Sequence, residues 1–280
     1  AIVRTAGTTL ARSSTKSILV IGDHGRAFMG TGLDHVHKDH LELSELHTAL
    51  SSAAQEVGRK PDILVFDSCE MANLEVAHHL KDCAKVLVGT EELLGADGLP
   101  WVSFLRDLSQ NAHQGPQFQA KHLVEVSGKD EINRLKNGKF DAACQLSAID
   151  LSKVEQLSSA VSQLSQQLQK SALPPRTIRG LIRDTVRFGE GGRALPDRDF
   201  RDLGDFCQRI LQEPDSEKSL KKAANKVLKA IPKAILAHQN EGQGMERAQG
   251  ISIYLPNKPI PEKFTDSKRC GTFREQYSQT

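Results

Sequence analysis

A histidine and a cysteine lie where two apolar segments of the sequence come to an end. Residues 17–22 lead into His24-Gly25, and residues 62–67 lead into Cys69. In a parallel sheet, ligands bind outside the carboxyl ends of the strands, so both side chains would lie at one edge. A thiol beside an imidazole can act as a nucleophile with its general base, and the N–H of Gly25 could bind a developing oxyanion. The pattern therefore indicates nucleophilic catalysis.

The segment after Cys69 has helical periodicity, and we expect a helix over about 70–82. Such a helix would start directly after the cysteine, and the positive end of a helix dipole stabilises a thiolate. Taken separately, His24 and Cys69 are more typical of a hydrogen-bonded strand-end histidine and a small buried side chain. Together, at two neighbouring strand ends, they are more typical of a catalytic pair.

Short apolar segments and longer amphipathic ones alternate in the first half of the chain. Three segments rich in valine, isoleucine and leucine cover residues 17–22, 62–67 and 84–89, and amphipathic segments of about 42–57 and 70–82 separate them. This alternation is typical of a parallel sheet with right-handed crossovers, whose strands are buried on both faces. The sequence therefore predicts the α/β class.

The second half of the chain is richer in helical patterns. A capping box of Ser152 and Glu155 starts a helix that ends before Pro174. The other elements that we expect are helices over about 177–188, 200–212 and 216–238 (interrupted by Pro232), strands over 144–150 and 250–255, and loops over 189–193 and 240–244. The sequence has no internal repeat and no linker, which predicts one domain.

The composition excludes several classes of protein. The 280 residues include 37 basic and 35 acidic ones, and a net charge of +2 argues against a dedicated nucleic-acid binder. No apolar run approaches the ~20 residues that span a bilayer, and Ala1 does not open a signal peptide. The five cysteines are scattered without a CxxC pair, which argues against a disulfide framework and a structural zinc site. We expect a soluble globular protein with a free thiol and with no cofactor, nucleic acid or membrane partner.

Two further patterns have simpler explanations than a ligand site. His35, His37 and His40 have possible metal-ligand spacing, but Lys38 and the loop-like setting favour a solvated segment. A run of lysines within 218–233 is typical of a solvated helix face, and a surface for an anionic partner is the alternative.

Two other enzyme classes fit the motifs less well. The segment Gly22-Asp-His-Gly-Arg26 could be part of a calcineurin-type metallophosphatase, but the companion ligand motifs of that class are missing. A haloacid dehalogenase requires a second aspartate where Cys69 stands.

In their order and spacing, the motifs resemble the clostripain-like cysteine peptidases, in the clan of caspases, gingipains, legumain and separase. The resemblance extends over most of the chain. The segments that carry it are His24-Gly25, Asp67-Ser-Cys69, Glu91-Glu-Leu-Leu-Gly-Ala-Asp-Gly-Leu-Pro-Trp101, Leu146-Ser-Ala-Ile-Asp-Leu-Ser152, Asp202-Leu-Gly-Asp-Phe206 and Gly250-Ile-Ser-Ile-Tyr-Leu-Pro256.

The resemblance implies a caspase-like sandwich with a mostly parallel central sheet and flanking helices. A single peptidase domain would cover 1–280, with a core over 1–150 that carries the catalytic residues and a helical portion with a late strand over 151–280. The family carries further strands before its histidine strand, so we expect N-terminal strands to be missing or to lie on a separate chain. The partners would then be a peptide or protein substrate and the protein's own N-terminal fragment. The resemblance also allows calcium and a secreted or periplasmic location.

The same resemblance assigns roles to individual residues. His24 would be the general base and Cys69 the nucleophile, with the N–H groups of Gly25 and Cys69 as the oxyanion hole. Asp67 lies two residues before Cys69, so on a strand both side chains point to the same face. With Asp97 in the loop after the next strand, Asp67 would form an acidic S1 pocket that selects arginine or lysine at P1; which of the two is preferred stays open.

The segment between the histidine strand and the next helix is a candidate for self-processing, as in many members of the family. Its basic residues are Arg26, which adjoins His24, and Lys38. We therefore expect self-cleavage after Lys38, the alternative being a plain flexible loop. For the whole protein the alternative is a catalytically inactive, peptidase-like binding or scaffold module, and the presence of both His24 and Cys69 argues against it.

Overall fold

The structure is a computed structural model. It describes residues 16–34, 36–37, 39–95, 97–136, 144–189, 199–241 and 244–257.

Ten strands are seen in the described residues, and five of them form the central sheet. The strands are β1 (Ile18–Gly22), β2 (Thr31–Asp34), β3 (Asp39–Leu41), β4 (Ile63–Asp67), β5 (Val86–Gly89), β6 (Cys144–Asp150), β7 (Arg187–Phe188), β8 (Phe200–Asp202), β9 (Ile235–Glu241) and β10 (Ser252–Tyr254). The central sheet has the order β1-β4-β5-β6-β9, in which β1, β4 and β5 are parallel and β6 is antiparallel to both of its neighbours. The sheet is therefore mostly parallel, as expected. Strands β10, β8 and β7 form a small antiparallel sheet, and β2 and β3 form a hairpin.

Helices cover both faces of the central sheet. Those of the described residues are α1 (Leu43–Val57), α2 (Leu74–His79), α3 (Trp101–Gln110), α4 (Pro116–Lys136), α5 (Val154–Lys170), α6 (Pro175–Asp184), α7 (Leu203–Gln212) and α8 (Lys218–Ala234). One core packs α3 and α4 against one face, where Val65 and Val88 point. The larger core packs the other six helices against the opposite face, where Leu64 and Leu87 point. This alternation is the two-residue period of a sheet that is buried on both sides.

Strand β1 differs from that expectation. It lies at the edge of the central sheet and pairs with β4 alone among the described strands. Leu19 is 37% and Val20 42% exposed, whereas Leu64 and Val65, their register partners on β4, are fully buried. The prediction of burial on both faces is therefore confirmed for β4 and β5. It is wrong for β1, because an edge strand has a neighbouring strand on one side only.

The helix after Cys69 starts later than the predicted residue 70. Glu70 adopts a left-handed backbone, with φ of 62°, and the N–H of Ala72 donates to the carbonyl of Thr90 at 2.7 Å. The helix α2 starts only after Asn73, whose side chain accepts the N–H groups of Glu75 and Val76. The segment behind the cysteine therefore pairs with its neighbours, and the prediction of a helix N-terminus at Cys69 is wrong.

Tertiary pairing also changes the second half of the chain. Residues 187–188 and 200–202, predicted as ends of helices, are strands of the small sheet. Helix α8 continues through Pro232 and stops at Ala234, because the next seven residues pair with β6. Part of the predicted loop 240–244 therefore belongs to β9.

Local capping and two further helices also differ from expectation. Asp150, not Ser152, supplies the cap before α5: its carboxylate accepts the N–H of Ser152 at 3.0 Å. Helices α3 and α4 were not predicted. Within the described residues, no helix is long and apolar enough to span a membrane.

Candidate active site

The ends of β1 and β4 bring His24 and Cys69 to the same height of the sheet. Gly22 is in register with Asp67, so the residues two positions further on leave the sheet side by side. The two segments then touch through their backbones: a Cβ atom on Gly25 would lie 2.1 Å from the carbonyl oxygen of Cys69 and 3.1 Å from its nitrogen. Only glycine allows this approach. The sequence prediction that His24-Gly25 and Cys69 share one edge is borne out by the geometry.

The histidine segment, residues 24–26, is held by a short pairing with β2. The carbonyl of His24 accepts the N–H of Gly32 at 3.1 Å and the hydroxyl of Thr31 at 2.8 Å, and the N–H of Arg26 donates to Gly30 at 3.0 Å. The buried N–H of Gly25 lies between these bonds and has no acceptor among the residues that the structure describes. The His24 residue itself is exposed to solvent.

An aromatic cluster anchors the turn after the histidine. The ring of Phe28 makes edge contacts with Phe200, at 5.9 Å between centroids, and with Tyr254, at 5.1 Å. Edge-to-face pairs of this kind contribute about 1 kcal/mol each beyond the buried area. The cluster therefore ties the histidine segment to β8 and β10, which lie late in the sequence.

Backbone strain is concentrated beside the two candidate residues. Among the described residues, Ala27 (φ 49°) and Glu70 (φ 62°) are the only non-glycine residues with positive φ. Ala27 lies three positions after His24, and Glu70 directly follows Cys69. Side chains other than glycine pay about 1 kcal/mol or more for this conformation, and such residues cluster at functional sites.

The thiol of Cys69 lies against the loop that follows β5. The N–H of Leu94 donates to Sγ at 3.3 Å. The N–H of Glu70 donates to the carbonyl of Glu92 at 3.1 Å, and the hydroxyl of Thr90 bonds the same carbonyl at 2.7 Å. A backbone N–H directed at sulfur stabilises negative charge on it. The carbonyl of Leu94 also lies 3.9 Å from Sγ, as an acceptor for the thiol proton, and the sequence carried no signal for this contact of Leu94.

Asp67 is half-buried and held by the start of α3. One carboxylate oxygen accepts the N–H of Leu99 at 2.9 Å, and the other accepts the indole N–H of Trp101 at 2.6 Å. A Cβ atom on Gly98 would lie 2.9 Å from the first oxygen, so the loop passes directly over the carboxylate. Asp97 adjoins Gly98 and is exposed. The structure thus places both aspartates in one region, with Asp67 fixed by its partners; a shared S1 pocket stays a prediction.

Trp101 was noted in the sequence only as the aromatic end of an acidic segment. Its hydrogen bond to Asp67 has no local sequence signal, since the two residues are 34 positions apart.

The loop that follows β5 and contacts Cys69, residues 90–95, is called the site loop. The carboxylate of Glu92 connects it to the second half of the chain. It accepts the N–H of Leu93 at 2.7 Å and that of Gly189, just after β7, at 2.9 Å. The loop that contacts Cys69 is therefore bound to a segment almost a hundred residues later, a link that local sequence patterns do not reveal.

Two fully buried carboxyl groups lie beneath this loop. Burial raises the pKa of Asp202 to about 7, and burial together with the nearby Asp202 raises the pKa of Glu91 well above its ordinary value. Asp202 accepts the N–H groups of Asp205 and Gln249, each at 2.6 Å. The pair joins the site loop to the start of α7.

The predicted cleavage site and the histidine cluster are described only in part. Lys38 and His35 lie outside the described residues. His37 forms a 2.7 Å contact with Asp34 through Nδ1, and no group of three or more His, Cys, Asp or Glu in the described parts of the chain could hold a metal ion. The calcium dependence that the resemblance allows stays a prediction, which a calcium titration of the melting temperature would test.

Comparisons with known proteins identify the family and the fold of this chain. The sequence model of the clostripain family, peptidase family C11, matches residues 8–277. No curated protein matches the chain by sequence.

Solved structures share the fold at low sequence identity. An inactive zymogen of a C11 protease from Parabacteroides distasonis has a TM-score of 0.67 and 14% identity, over 98% of this chain and 72% of that one. A secreted C11 cysteine protease from Bacteroides thetaiotaomicron with an irreversible peptide inhibitor has a TM-score of 0.65 and 16% identity, over 96% and 76%. A clostripain from the same organism, with the peptide inhibitor BTN-VLTK-AOMK, has a TM-score of 0.59 and 16% identity, over 86% and 97%.

The fold is therefore the caspase-like α/β fold of cysteine peptidases, with helices on both faces of a mostly parallel sheet. The chain belongs to the clostripain family and is a cysteine-type peptidase.

Proposed function

We propose that the protein is an endopeptidase that cleaves after arginine or lysine through a dyad of Cys69 and His24. The observation that carries the proposal is the backbone contact between Gly25 and Cys69, which only glycine permits. It sets the histidine segment beside the cysteine at one sheet edge and leaves the Gly25 N–H next to the site.

In the proposed reaction, Sγ of Cys69 attacks the scissile carbonyl carbon and its proton passes to the imidazole of His24. The carbonyl oxygen becomes an oxyanion, which the N–H groups of Gly25 and Cys69 bind. The C–N bond then breaks as His24 donates the proton to the leaving amine. Water attacks the resulting thioester, with His24 as its base, and releases the acid and the thiol. The Leu94 N–H lies 3.3 Å from Sγ, where it can donate a hydrogen bond to the thiolate.

The proposed specificity rests on Asp67. Each carboxylate oxygen accepts one N–H, from Leu99 or Trp101, and retains a lone pair for a cationic side chain. Because these donors fix the carboxylate, an arginine could bind it through two hydrogen bonds and a lysine through one. Exposed Asp97 would add negative charge at the rim. The peptide bound to the B. thetaiotaomicron clostripain, VLTK, ends in lysine, which agrees with a basic P1 residue.

A substrate panel tests the specificity. Fluorogenic peptides that differ only at P1 (Arg, Lys, Asp or Leu) should be cleaved after Arg and Lys. Asp67→Asn should lower kcat/KM for the basic substrates by about 100-fold, since truncating one partner of a buried charge pair costs several kcal/mol. Asp62→Asn is a matched control, because Asp62 lies at the opposite end of β4. A preference for Asp or Leu at P1 would refute the acidic pocket.

A thiol-reactive peptidyl probe separates an active peptidase from an inactive scaffold. The probe should label the wild type and leave Cys69→Ala unlabelled, although both proteins contain other thiols. Cys83 and Cys207 are buried, and burial raises the pKa of both thiols, so neither competes for the probe. Equal labelling of both proteins would favour the scaffold.

We also propose self-cleavage after Lys38, which would follow from a basic P1 preference and is in keeping with the zymogen among the structural neighbours. N-terminal sequencing should find a new terminus at Asp39 in the wild type that is absent from Cys69→Ala. An intact and fully active wild-type chain would exclude it. A location outside the cytoplasm, supported by the secreted neighbour, would be tested by fractionating cells that produce the full-length protein.

A further inference from the structure

Helix α8 carries a concentration of positive charge that the proposed peptidase mechanism does not use. Six lysines and no acidic residue lie between its first and last residues: Lys218, Lys221, Lys222, Lys226, Lys229 and Lys233. Since the whole chain has 37 basic and 35 acidic residues, the rest of it carries a net charge of −4 once these six are set aside. The charge of the protein is therefore strongly asymmetric.

Five of these lysines line a groove between α8 and α5. The two helices run antiparallel. Glu217, just before α8, accepts the N–H of Ala172, just after α5, at 2.7 Å, and further along α8 Lys226 donates to Gln163, further back on α5. The groove has a volume of about 840 Å³. Its α5 side presents the amides of Gln163, Gln166 and Gln167. The groove is thus concave, with ammonium groups along one wall and amide groups along the other.

The lysines of α8 have no acidic partner among the residues that the structure describes. No carboxylate in the described residues lies within ion-pair distance of their ammonium groups; Lys226 instead donates to the side chain of Gln163 at 2.7 Å. Like charges three or four positions apart on a helix destabilise it by about 0.2–0.5 kcal/mol per pair, and Lys218 and Lys221 also oppose the helix dipole in the first turn. The lysines therefore destabilise α8, and charges that lower the stability of an element are typical of a functional surface.

The geometry of the groove favours an extended acidic polypeptide as its ligand. Lysines four positions apart on a helix recur every ~6 Å, and the side chains on one face of an extended peptide recur every ~6.6 Å. The glutamine amides could pair with the peptide backbone. Of the residues described as lining the groove, none is aromatic, whereas single-stranded nucleic acids bind through stacking on aromatic rings. A concave groove also fits a flat membrane surface poorly.

We propose that the groove between α5 and α8 binds acidic segments of polypeptides. A role for this binding rests on the proposed function: the groove would recruit to the peptidase those protein substrates that carry an acidic segment.

Binding can be measured on the Cys69→Ala protein, independently of catalysis. A fluorescent oligo-glutamate peptide should bind at low salt and dissociate as salt rises. Lys222→Gln/Lys226→Gln should weaken binding about tenfold, at up to roughly 1 kcal/mol per exposed charge. The matched control, Lys121→Gln/Lys129→Gln, removes the same charge from exposed positions of α4 and should change binding less than about twofold.

The alternatives are resolved by the same assay. Absence of binding, or equal weakening by both double variants, overturns the proposal. Tighter binding of a sulfated polysaccharide or of single-stranded DNA that is lost in the groove variant overturns the choice of polypeptide.

Recruitment requires a second measurement. Two substrates share one cleavable arginine, and one of them carries an acidic extension. The extension should lower KM in the wild type and in the control variant but not in Lys222→Gln/Lys226→Gln, with kcat for the short substrate unchanged. Equal KM values for both substrates in the wild type would exclude recruitment. If oligo-glutamate binds but neither substrate is cleaved, the proposed function fails and the binding site remains.

Discussion

The segments that carry Cys69 and His24 leave neighbouring strands at the same height, but they are held in different ways. Strand β4, before Cys69, is central and its first four residues are at most 2% exposed, and the loop after β5 bonds to the residues that follow the cysteine. Strand β1, before His24, is an edge strand with exposed Leu19 and Val20, and its continuation is held by the β2 pairing and by the ring of Phe28. Cys69 is therefore fixed by the main core, and His24 by local pairing on a partly exposed strand. We expect the histidine segment to open more easily, because it has fewer buried contacts.

The largest effect should come from removing the two reactive groups. Cys69→Ala and His24→Ala should each lower kcat by about 10⁴-fold or more, since a nucleophile and its base act as a unit. The double variant should be hardly slower than either single one. Peptidase assays with melting curves check this, and we expect unchanged melting temperatures, because neither side chain belongs to the core. Full activity of either variant would refute the dyad.

The contact between the two segments can be broken at Gly25. Gly25→Ala would bring a Cβ atom to 2.1 Å from the carbonyl of Cys69, so the segments must move apart. A displacement of about 1 Å at a catalytic centre costs on the order of 100-fold in rate, and we expect at least that loss.

Gly22→Ala is the matched control for this contact, since its Cβ atom would lie 3.8 Å from the nearest neighbour, in ordinary contact with Asp67. It should retain most of the activity. Equal losses in the two variants would show that the close approach is not what matters.

Two buried threonines sharpen the comparison of the segments. The hydroxyl of Thr90 bonds the carbonyl of Glu92 and accepts the N–H of Glu70 at 3.3 Å, whereas that of Thr31 bonds the carbonyl of His24. Thr90→Val should destabilise the protein by about 2–3 kcal/mol and Thr31→Val by about 1 kcal/mol, because the first leaves more buried groups unpaired. Urea unfolding measures both values. The reverse order would mean that the histidine segment is the more firmly held.

The smallest effect concerns the carboxyl pair beneath the site loop. Because the folded state raises the pKa of Asp202 and of Glu91, it holds protons that the unfolded chain releases near pH 4. The contribution of these two groups to the free energy of unfolding should therefore be largest below about pH 4. It should fall as the pH rises towards about 7 and beyond. Glu91→Gln cannot ionise and should reduce this fall by a few °C in Tm. Melting curves from pH 5 to pH 8 test it, and equal slopes for the variant and the wild type would contradict it.

Much of the site was accessible from the sequence because it lies at the ends of strands with strong apolar patterns. The spacing of His24-Gly25 and Cys69 relative to their strands predicts the shared edge, and the register of Gly22 with Asp67 agrees with it. The partners of these residues were not accessible in the same way. Leu94 and Gly189 contribute backbone N–H groups, which every residue type except proline provides, so residue type does not reveal these positions.

Local periodicity was misleading where tertiary hydrogen bonds compete with a helix. Residues 70–73 have apolar spacing that fits a helix, but Ala72 pairs with Thr90 on one side and Ser252 on the other. Residues 235–238 continue the periodicity of α8, yet they pair with β6. In both places a backbone hydrogen bond to a distant strand replaces a hydrogen bond within a helix. A local pattern carries no information about the distant partner and therefore cannot predict which bond forms.

By itself, the sequence determined the α/β class, the three parallel strands of the central sheet and the edge at which the histidine and cysteine lie. These follow from apolar segments and turn residues, whose burial and backbone preferences act over a few positions. Only the tertiary structure decided that the thiol lies against Leu94 rather than a helix N-terminus, that Trp101 holds Asp67, and that β1 is an exposed edge. Each of these depends on contacts between residues that are distant along the chain, and such contacts form only when the whole sheet and its helices are assembled.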